Sequence, residues 1–452
     1  MTGSLRFTSL IALLVTAGCS GDIPYRTESF SEMPECGKIY EEHSSDQKIK
    51  KYAPDSVDAR CWGRAAEERA AYDLLFTEFD DQGWVQGTAG RKGIARDHHD
   101  LLFRRLNDLL AKYQDHQQYQ GLMLVVFVHG WHHNAEANDG NVREFRKLLG
   151  SLAQDAHLLA GKEKGRRLVG LYVGWRGESV TFPGLNYLTF WDRKNTAERV
   201  SQGSVRELFA KLDVFHDRSG DGHGSKGVRM LTIGHSFGGL VTFEALSSEF
   251  LRDAARYQDE GEKDLRRRPL SRFGDLVIIV NPAFEGVRYE PIKVAGQRLP
   301  PLAASQPPLA IIATSTADWA TGMAFPVARF FNSLFESDPK EERAANRKTV
   351  GHNDRYTTHR LSVCKTDDAE CWNACAENEF AHMAVFSLKG VQPGEYLCNG
   401  LNLTTTKEWA PTGNPYWVVE TTGDVIKDHY DMFNPYFISF VRQMYLSVAT
   451  NK

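Results

Sequence analysis

Six short runs of apolar residues recur along the chain, and none of them alternates with polar positions. They are "LMLVVFVHG" (122–130), "RLVGLYVGW" (167–175), "VRMLTIGHS" (228–236), "DLVIIVNP" (275–282), "LAIIATS" (309–315) and "YWVVETT" (416–422). Each is short and rich in β-branched residues. A strand exposed on one face would alternate. Continuous runs of this length belong to strands buried on both faces, as in a parallel sheet covered by helices. Between the runs the apolar period lengthens, predicting helices over roughly 98–114, 141–160, 197–212, 238–258 and 434–448. Strands alternating with helices predict an α/β fold with a mostly parallel, doubly wound sheet. An earlier pair, "YDLLFTEFD" and "WVQG", is expected to form an antiparallel hairpin at the sheet edge.

Two stretches break the rhythm. Residues 176–196 are aromatic-rich and contain Pro183. Residues 319–415 carry four cysteines and no long apolar run, and they are far longer than an ordinary connection between strands. The expected organisation is therefore a core over 70–317 and 416–452, with a disulfide-bearing cap inserted at 318–415. Residues 20–69 are polar and irregular, with Pro24, Pro34 and Pro54, and read as a tether plus a small stapled region. The charged run around 252–269 reads as a solvated helix end and loop.

The first nineteen residues have one positive charge at Arg6, an apolar run from Leu10 to Val15, and small residues before Cys19. The run is too short to span a bilayer, so a cleaved export signal is expected. "TAGC" resembles a bacterial lipoprotein signal, in which the cysteine is lipidated, although Thr16 stands where leucine is commonest. With Ser20 next, the resemblance implies sorting to the outer membrane, facing the periplasm. Ordinary secretion with cleavage after Ala17 is the alternative. Of the seven cysteines, six remain beyond Cys19: Cys36, Cys61, Cys364, Cys371, Cys375 and Cys398. An even set in an oxidising compartment suggests disulfides, and Cys36–Cys61 is the expected first pair. The downstream spacing matches no zinc pattern. A formal net charge of -4 on 452 residues gives no basic field for nucleic acid.

The chemistry concentrates in "IGHSFGG" (233–239). A serine between a strand and a helix can be held in a sharp turn, which forces strained backbone angles on Ser236 and leaves no room for bulky neighbours. Gly234 and Gly238 meet that demand. The hydroxyl then stands clear at the strand's C-terminal end, beside a helix N-terminus. In this strand series the motif resembles the nucleophile elbow of the α/β-hydrolase superfamily, of the serine esterase or lipase type. That resemblance implies a chain order of serine, acid, histidine. Asp318, after the strand 309–315, fits the acid, with Glu285 as its rival. His429, in the polar loop after the last strand, fits the base. His359 and His382 are weaker alternatives as base, and Asp424, Asp428 and Asp431 are alternatives as orienting acid. The resemblance further implies an oxyanion hole from the backbone N–H groups of Trp131, after Gly130, and Phe237. It implies no cofactor and no metal.

Two rival site readings rest on spacing. His129, His132 and His133 invite a metal, but need a carboxylate from elsewhere. "DRSGDGHGSKGV" (217–228) partly fits a calcium loop, but Val228 stands where a bidentate glutamate belongs. Two apolar segments begin at C-terminal strand ends, within reach of the serine: Phe182, Pro183, Leu185, Tyr187, Leu188, Phe190 and Trp191, and a helical face of Val327, Phe330, Phe331, Leu334 and Phe335; such a stripe reads first as core and second as an acyl-chain pocket or lid. The sequence thus predicts a serine hydrolase acting on a small-molecule or lipid ester. A thioesterase or transacylase, or a catalytically silent envelope interaction protein, are the alternatives.

Overall fold

The computed structural model describes residues 24–28, 57–87, 97–159, 165–177, 190–218, 227–259, 273–299, 308–332, 339, 342–374, 395–406 and 414–450. The export signal, Cys19, Cys36, Cys375 and His382 lie outside these residues, as do all of 178–189 and most of the calcium-like loop.

The described strands form one sheet of eleven, in the order β1-β2-β4-β3-β5-β6-β7-β11-β8-β10-β9. They are β1 (Ala66–Glu68), β2 (Tyr72–Phe79), β3 (Tyr119–Val128), β4 (Gly165–Trp175), β5 (Gly227–His235), β6 (Leu276–Val280), β7 (Ala310–Ser315), β8 (His359–Val363), β9 (Glu395–Leu397), β10 (Leu401–Thr405) and β11 (Tyr416–Thr421). Every pairing from β2 through β8 is parallel, and only β1 and β10 run against this direction, so the pairings β1–β2, β8–β10 and β10–β9 are antiparallel. All six apolar runs are strands of this parallel centre.

Burial on both faces explains their composition. In β3, Leu122, Leu124, Val126 and Val128 join one core cluster, while Met123, Val125 and Phe127 join the other. The first face is covered by α1 (Asp97–Tyr113), α3 (Phe190–Gln202), α4 (Ser204–Arg218) and α5 (Phe237–Asp259). The second is covered by α2 (Gly140–Leu159) and the C-terminal helix Pro435–Thr450. The single helix expected over 197–212 is two, α3 and α4, broken at Gly203, where the backbone of Gly83 comes too close for a side chain. Among the described residues no helix is long and apolar enough to cross a membrane.

Two expectations change. The early hairpin is shorter than expected: an antiparallel bridge joins Phe79 to Val85, with Asp80 N–H donating to the Trp84 carbonyl (2.9 Å) and Gln86 N–H to the Glu78 carbonyl (2.8 Å), while β2 pairs along its length with β4 and, at its start, with β1. The long stretch between β7 and β11 is also not purely a cap. Its β8, β10 and β9 extend the sheet beyond β11, so β11 has neighbours on both sides. An apolar β11 left as an edge would offer unpaired backbone to other chains. Cys364 and Cys371 form a disulfide in this extension. Cys61 and Cys398 are also disulfide-bonded.

The chain leaves β3 for β4 on one side and returns from β4 to β5 on the other. The direction of winding therefore reverses between β3 and β5. In open α/β sheets ligands bind at such a reversal, beyond the C-terminal strand ends. The loop leaving β3 there is tied down by a buried ion cluster. Arg146 donates to both oxygens of Glu67 (3.0 and 2.6 Å) and to the Ala137 carbonyl (2.7 Å). Arg69 donates to Glu67 (3.0 Å), and Arg26 donates to the Ala135 carbonyl (2.7 Å).

Burial alone would push the Glu67 carboxyl up, but Arg146 and Arg69 hold it down to about 2. A depressed carboxyl stabilises the fold above its unfolded pKa, and that contribution fades as pH falls toward the folded value. Glu67→Gln is expected to cost about 3–5 kcal/mol at neutral pH, because Arg146, Arg69 and Arg26, the last 3.5 Å from Glu67, lose their counter-charge. Denaturant unfolding should show the gap to wild type narrowing as pH falls from about 4.5 toward 2; a gap constant with pH would contradict this assignment.

Candidate active site

Ser236 sits between β5 and α5 with φ +56°, the left-handed region that L-residues avoid. The turn is held by bonds on both sides. Ser236 N–H donates to the Val280 carbonyl (3.0 Å), and the Ser236 carbonyl accepts from Leu240 (3.1 Å) and Ala283 (3.3 Å). The flanking glycines answer close approach. A Cβ on Gly234 would fall 2.5 Å from Thr242 Oγ1, and one on Gly238 would run into the carbonyls of Val128 and His129. Gly130, at the end of β3, passes equally close to Ser236: a Cβ there would lie 2.8 Å from the serine's own.

Three predicted side chains meet. His429 Nε2 lies 2.8 Å from Ser236 Oγ, and His429 Nδ1 lies 2.9 Å from Asp318 Oδ2. All three are buried, at 3%, 7% and 1% exposure for Ser236, His429 and Asp318. The partners assign the tautomer. A carboxylate only accepts, so His429 Nδ1 carries the hydrogen and Nε2 presents its lone pair to the serine hydroxyl.

Asp318 is fully engaged: Oδ1 accepts from Ala320 N–H (2.9 Å) and Thr321 N–H (3.2 Å), while Oδ2 accepts from His429 and from the Thr321 hydroxyl. Burial pushes its carboxyl up, but His429 and the Thr321 bonds outweigh that and hold it below the usual range.

The loop carrying His429 is gripped by one residue from the end of each of three strands. His235, last in β5, donates from Nε2 to the His429 carbonyl (2.8 Å). Asn281, after β6 and with φ +44°, donates to the same carbonyl (3.2 Å). Ser315, last in β7, donates to the Ile426 carbonyl (2.6 Å), and its own N–H donates to Asn281 Oδ1 (3.0 Å). Burial, then the neighbouring His429, pushes the His235 imidazole down to about 3, so this histidine stays neutral. Sequence reasoning missed His235 and Asn281. The only signal for either was its place at the end of an apolar run.

The rival candidates lie elsewhere. Glu285 is ion-paired with Lys194 (3.0 Å) and Arg288 (2.9 Å) and does not bond to His429. Asp424 and Asp428 are exposed. Asp428 accepts from Tyr430 N–H and Asp431 from Lys427 N–H, each as a local turn (2.9 Å). His359 packs on Trp417, its ring 4.2 Å away, and bonds to Thr358. The three histidines after β3 do not converge. His129 donates to the Gly130 carbonyl and accepts from Trp175 N–H (2.9 Å each), His133 bridges Asp139 and Asn141, and His132 stacks on Trp131. Among the described residues no group of three potential metal ligands occurs.

A cavity of about 650 Å³ opens over the serine. Trp131 and Phe237 line it beside Ser236 and His429, and its walls are mostly apolar: Ala283, Ala317, Ala320, Ala324 and Phe325. Its rim carries the exposed side chains of Trp319, Met323, Val327 and Tyr430 (61, 59, 53 and 48%). Of the expected stripe, Val327 is the member whose side chain is described, and it lies at this rim. A π-helical turn at Ala320–Ala324 precedes the helix Phe325–Asn332, so Phe325 faces inward and Val327 outward. The side chains of Phe182 to Trp191 and of Phe330, Phe331, Leu334 and Phe335 lie outside the described residues.

Comparison with protein families, curated proteins and solved structures finds no match to this chain.

Asn281→Ala removes the acceptor of the buried Ser315 N–H and one donor to the His429 carbonyl. Unfolding free energy is expected to fall by about 1–3 kcal/mol, measured by denaturant titration. A loss within error of zero would mean the clamp does not hold this loop.

Proposed function

We propose that the chain is a serine hydrolase of the α/β-hydrolase type, cleaving carboxylic esters that carry an apolar acyl group. The observation that carries this reading is the Ser236–His429–Asp318 chain of hydrogen bonds at the floor of an apolar cavity. A serine hydroxyl is too basic to attack at neutral pH unless a base takes its proton as it attacks. His429 Nε2 takes that proton. Ser236 Oγ adds to the ester carbonyl, and the backbone N–H groups of Trp131 and Phe237 receive the developing oxyanion, aided by the N-terminus of α5. His429 returns the proton to the leaving alcohol. Water, activated by the same imidazole, then clears the acyl-enzyme, while Asp318 keeps His429 in the working tautomer throughout.

The acyl group is assigned to the cavity because its walls offer methyl and aromatic surface and few polar groups. The exposed Trp319, Met323 and Val327 continue that surface outward from the mouth. Apolar surface left in water at a cavity mouth is explained by a greasy substrate that covers it. The reading also puts the protein in the bacterial envelope, lipid-anchored at Cys19, and the disulfides at Cys61, Cys364, Cys371 and Cys398 favour such an oxidising compartment.

A panel of chromogenic esters from acetate to palmitate tests this on protein lacking residues 1–19. Wild type is expected to hydrolyse them, with kcat/KM rising from acetate toward longer acyl chains. Ser236→Ala and His429→Ala are expected to lose about 10⁴-fold or more in kcat. Wild type without hydrolysis of any ester at a rate Ser236→Ala lacks would remove the proposal. Trp319→Ala and Met323→Ser are expected to weaken kcat/KM for the longer esters by roughly tenfold and to leave acetate within about twofold, from the apolar area they cover. Equal loss on all esters would assign these side chains to folding instead.

A further inference from the structure

Hydrogen bonding at the site does not stop at Asp318. The Thr321 hydroxyl touches Asp318 Oδ2 on one side and lies 3.1 Å from His352 Nε2 on the other. A hydroxyl has one hydrogen to give. Asp318 is a carboxylate and only accepts, so Thr321 donates to it. Thr321 therefore meets His352 with a lone pair, and the hydrogen between them belongs to His352 Nε2. Five groups form one chain: His352 N–H to Thr321, Thr321 O–H to Asp318, His429 N–H to Asp318, and Ser236 O–H to His429.

The placement of His352 is over-determined. It closes the one-turn helix Val350–His352, where its N–H donates to the Thr349 carbonyl (3.2 Å). Thr349 Oγ1 donates to the Thr321 carbonyl (3.3 Å), and Val350 N–H donates to the Phe284 carbonyl (3.3 Å). The ring lies against the backbone of Gly322: a Cβ there would come within 3.0 Å of His352 Cε1. The segment is thus fixed to the turn that carries Thr321 and to the segment after β6.

We propose that His352 is a positioning residue that acts through Thr321 to set how strongly Asp318 holds the protonated form of His429. The proposal rests on the catalytic reading of Ser236, His429 and Asp318. Its physics is simple. A donor behind Thr321 makes that hydroxyl a better donor to the carboxylate. The better the carboxylate is satisfied from that side, the less it attracts a proton onto His429. A second proton on His352 acts in the same direction, placing positive charge beyond Asp318.

The charged groups facing His352 are Asp318, which favours that second proton, and Lys348 and His429, which oppose it. Burial, the largest influence, keeps the imidazole below its usual range, so it is neutral at neutral pH and gains charge on acidification. The sign follows: removing His352 or the Thr321 hydroxyl makes His429 easier to protonate and moves the acid limb of activity to higher pH.

The test is ¹⁵N NMR of histidine-labelled protein, following the ring nitrogens of His429 with pH and assigning them by their loss in His429→Gln. His352→Leu and Thr321→Val are each expected to raise the His429 midpoint by roughly half a unit. The double variant should lie much closer to Thr321→Val alone than to the sum of the two shifts, since neutral His352 acts through the hydroxyl and its charge adds only a smaller through-space part. Thr321→Ser should match wild type. His352→Gln, which keeps a donor but takes no proton, should fall between wild type and His352→Leu.

A midpoint unmoved in His352→Leu and Thr321→Val, or shifts that add in the double variant, would overturn the proposal. Fluorophosphonate labelling of the same samples separates this from the hydrolase reading. Shifted midpoints without labelling of wild type would keep the chain of bonds and discard the enzyme; labelling with unshifted midpoints would do the reverse.

Discussion

The parallel register of the sheet centre is the constraint on which the site depends. His235, Val280, Ala313 and Val419 stand in one lateral row across β5, β6, β7 and β11. Ser236 follows the first of these, Asp318 follows β7 by three residues, and His429 follows β11 by eight. Neighbouring strands are about 4.8 Å apart, so β11 ends well over 10 Å from β5. A histidine leaving β11 cannot reach the serine unless its loop folds back over the intervening strand ends. His235, Asn281 and Ser315 hold the loop in that path, each from a different strand and each through a loop carbonyl. The geometry of the Ser236–His429–Asp318 chain is thus a property of four adjacent strand ends rather than of three side chains.

The same constraint explains what could be read beforehand. Strands buried on both faces leave long apolar runs, so β3, β4, β5, β6, β7 and β11 were legible. A turn that forces Ser236 to positive φ demands small neighbours, so Gly234 and Gly238 were legible too. Asp318 and His429 followed from the chain order that the resemblance to a nucleophile elbow implies, and Glu285 is separated from Asp318 by the bond of Asp318 to His429 and by its own ion pairs with Lys194 and Arg288.

Other features have no such imprint. A side chain that grips a loop carbonyl has no period and no preferred spacing, which hid His235 and Asn281. The π-helical turn at Ala320–Ala324, which sets Phe325 inward and Val327 at the cavity rim, has no periodic signature of its own. The strands β8, β9 and β10 are short and only partly apolar, because they lie toward the edge.

The environment of the chain of bonds matters as much as its distances. Ser236, His429 and Asp318 are nearly closed to water, and apolar walls surround the serine. Hydrogen bonds and charges act more strongly where water does not compete. The central claim is that His429, oriented by Asp318, makes Ser236 a nucleophile. Incubation of folded protein with a fluorophosphonate, followed by peptide mass spectrometry, tests it most directly. A single adduct on the peptide containing Ser236, lost in His429→Ala and on unfolding, is the predicted result. No adduct on folded wild type, or one on a different serine, would contradict it.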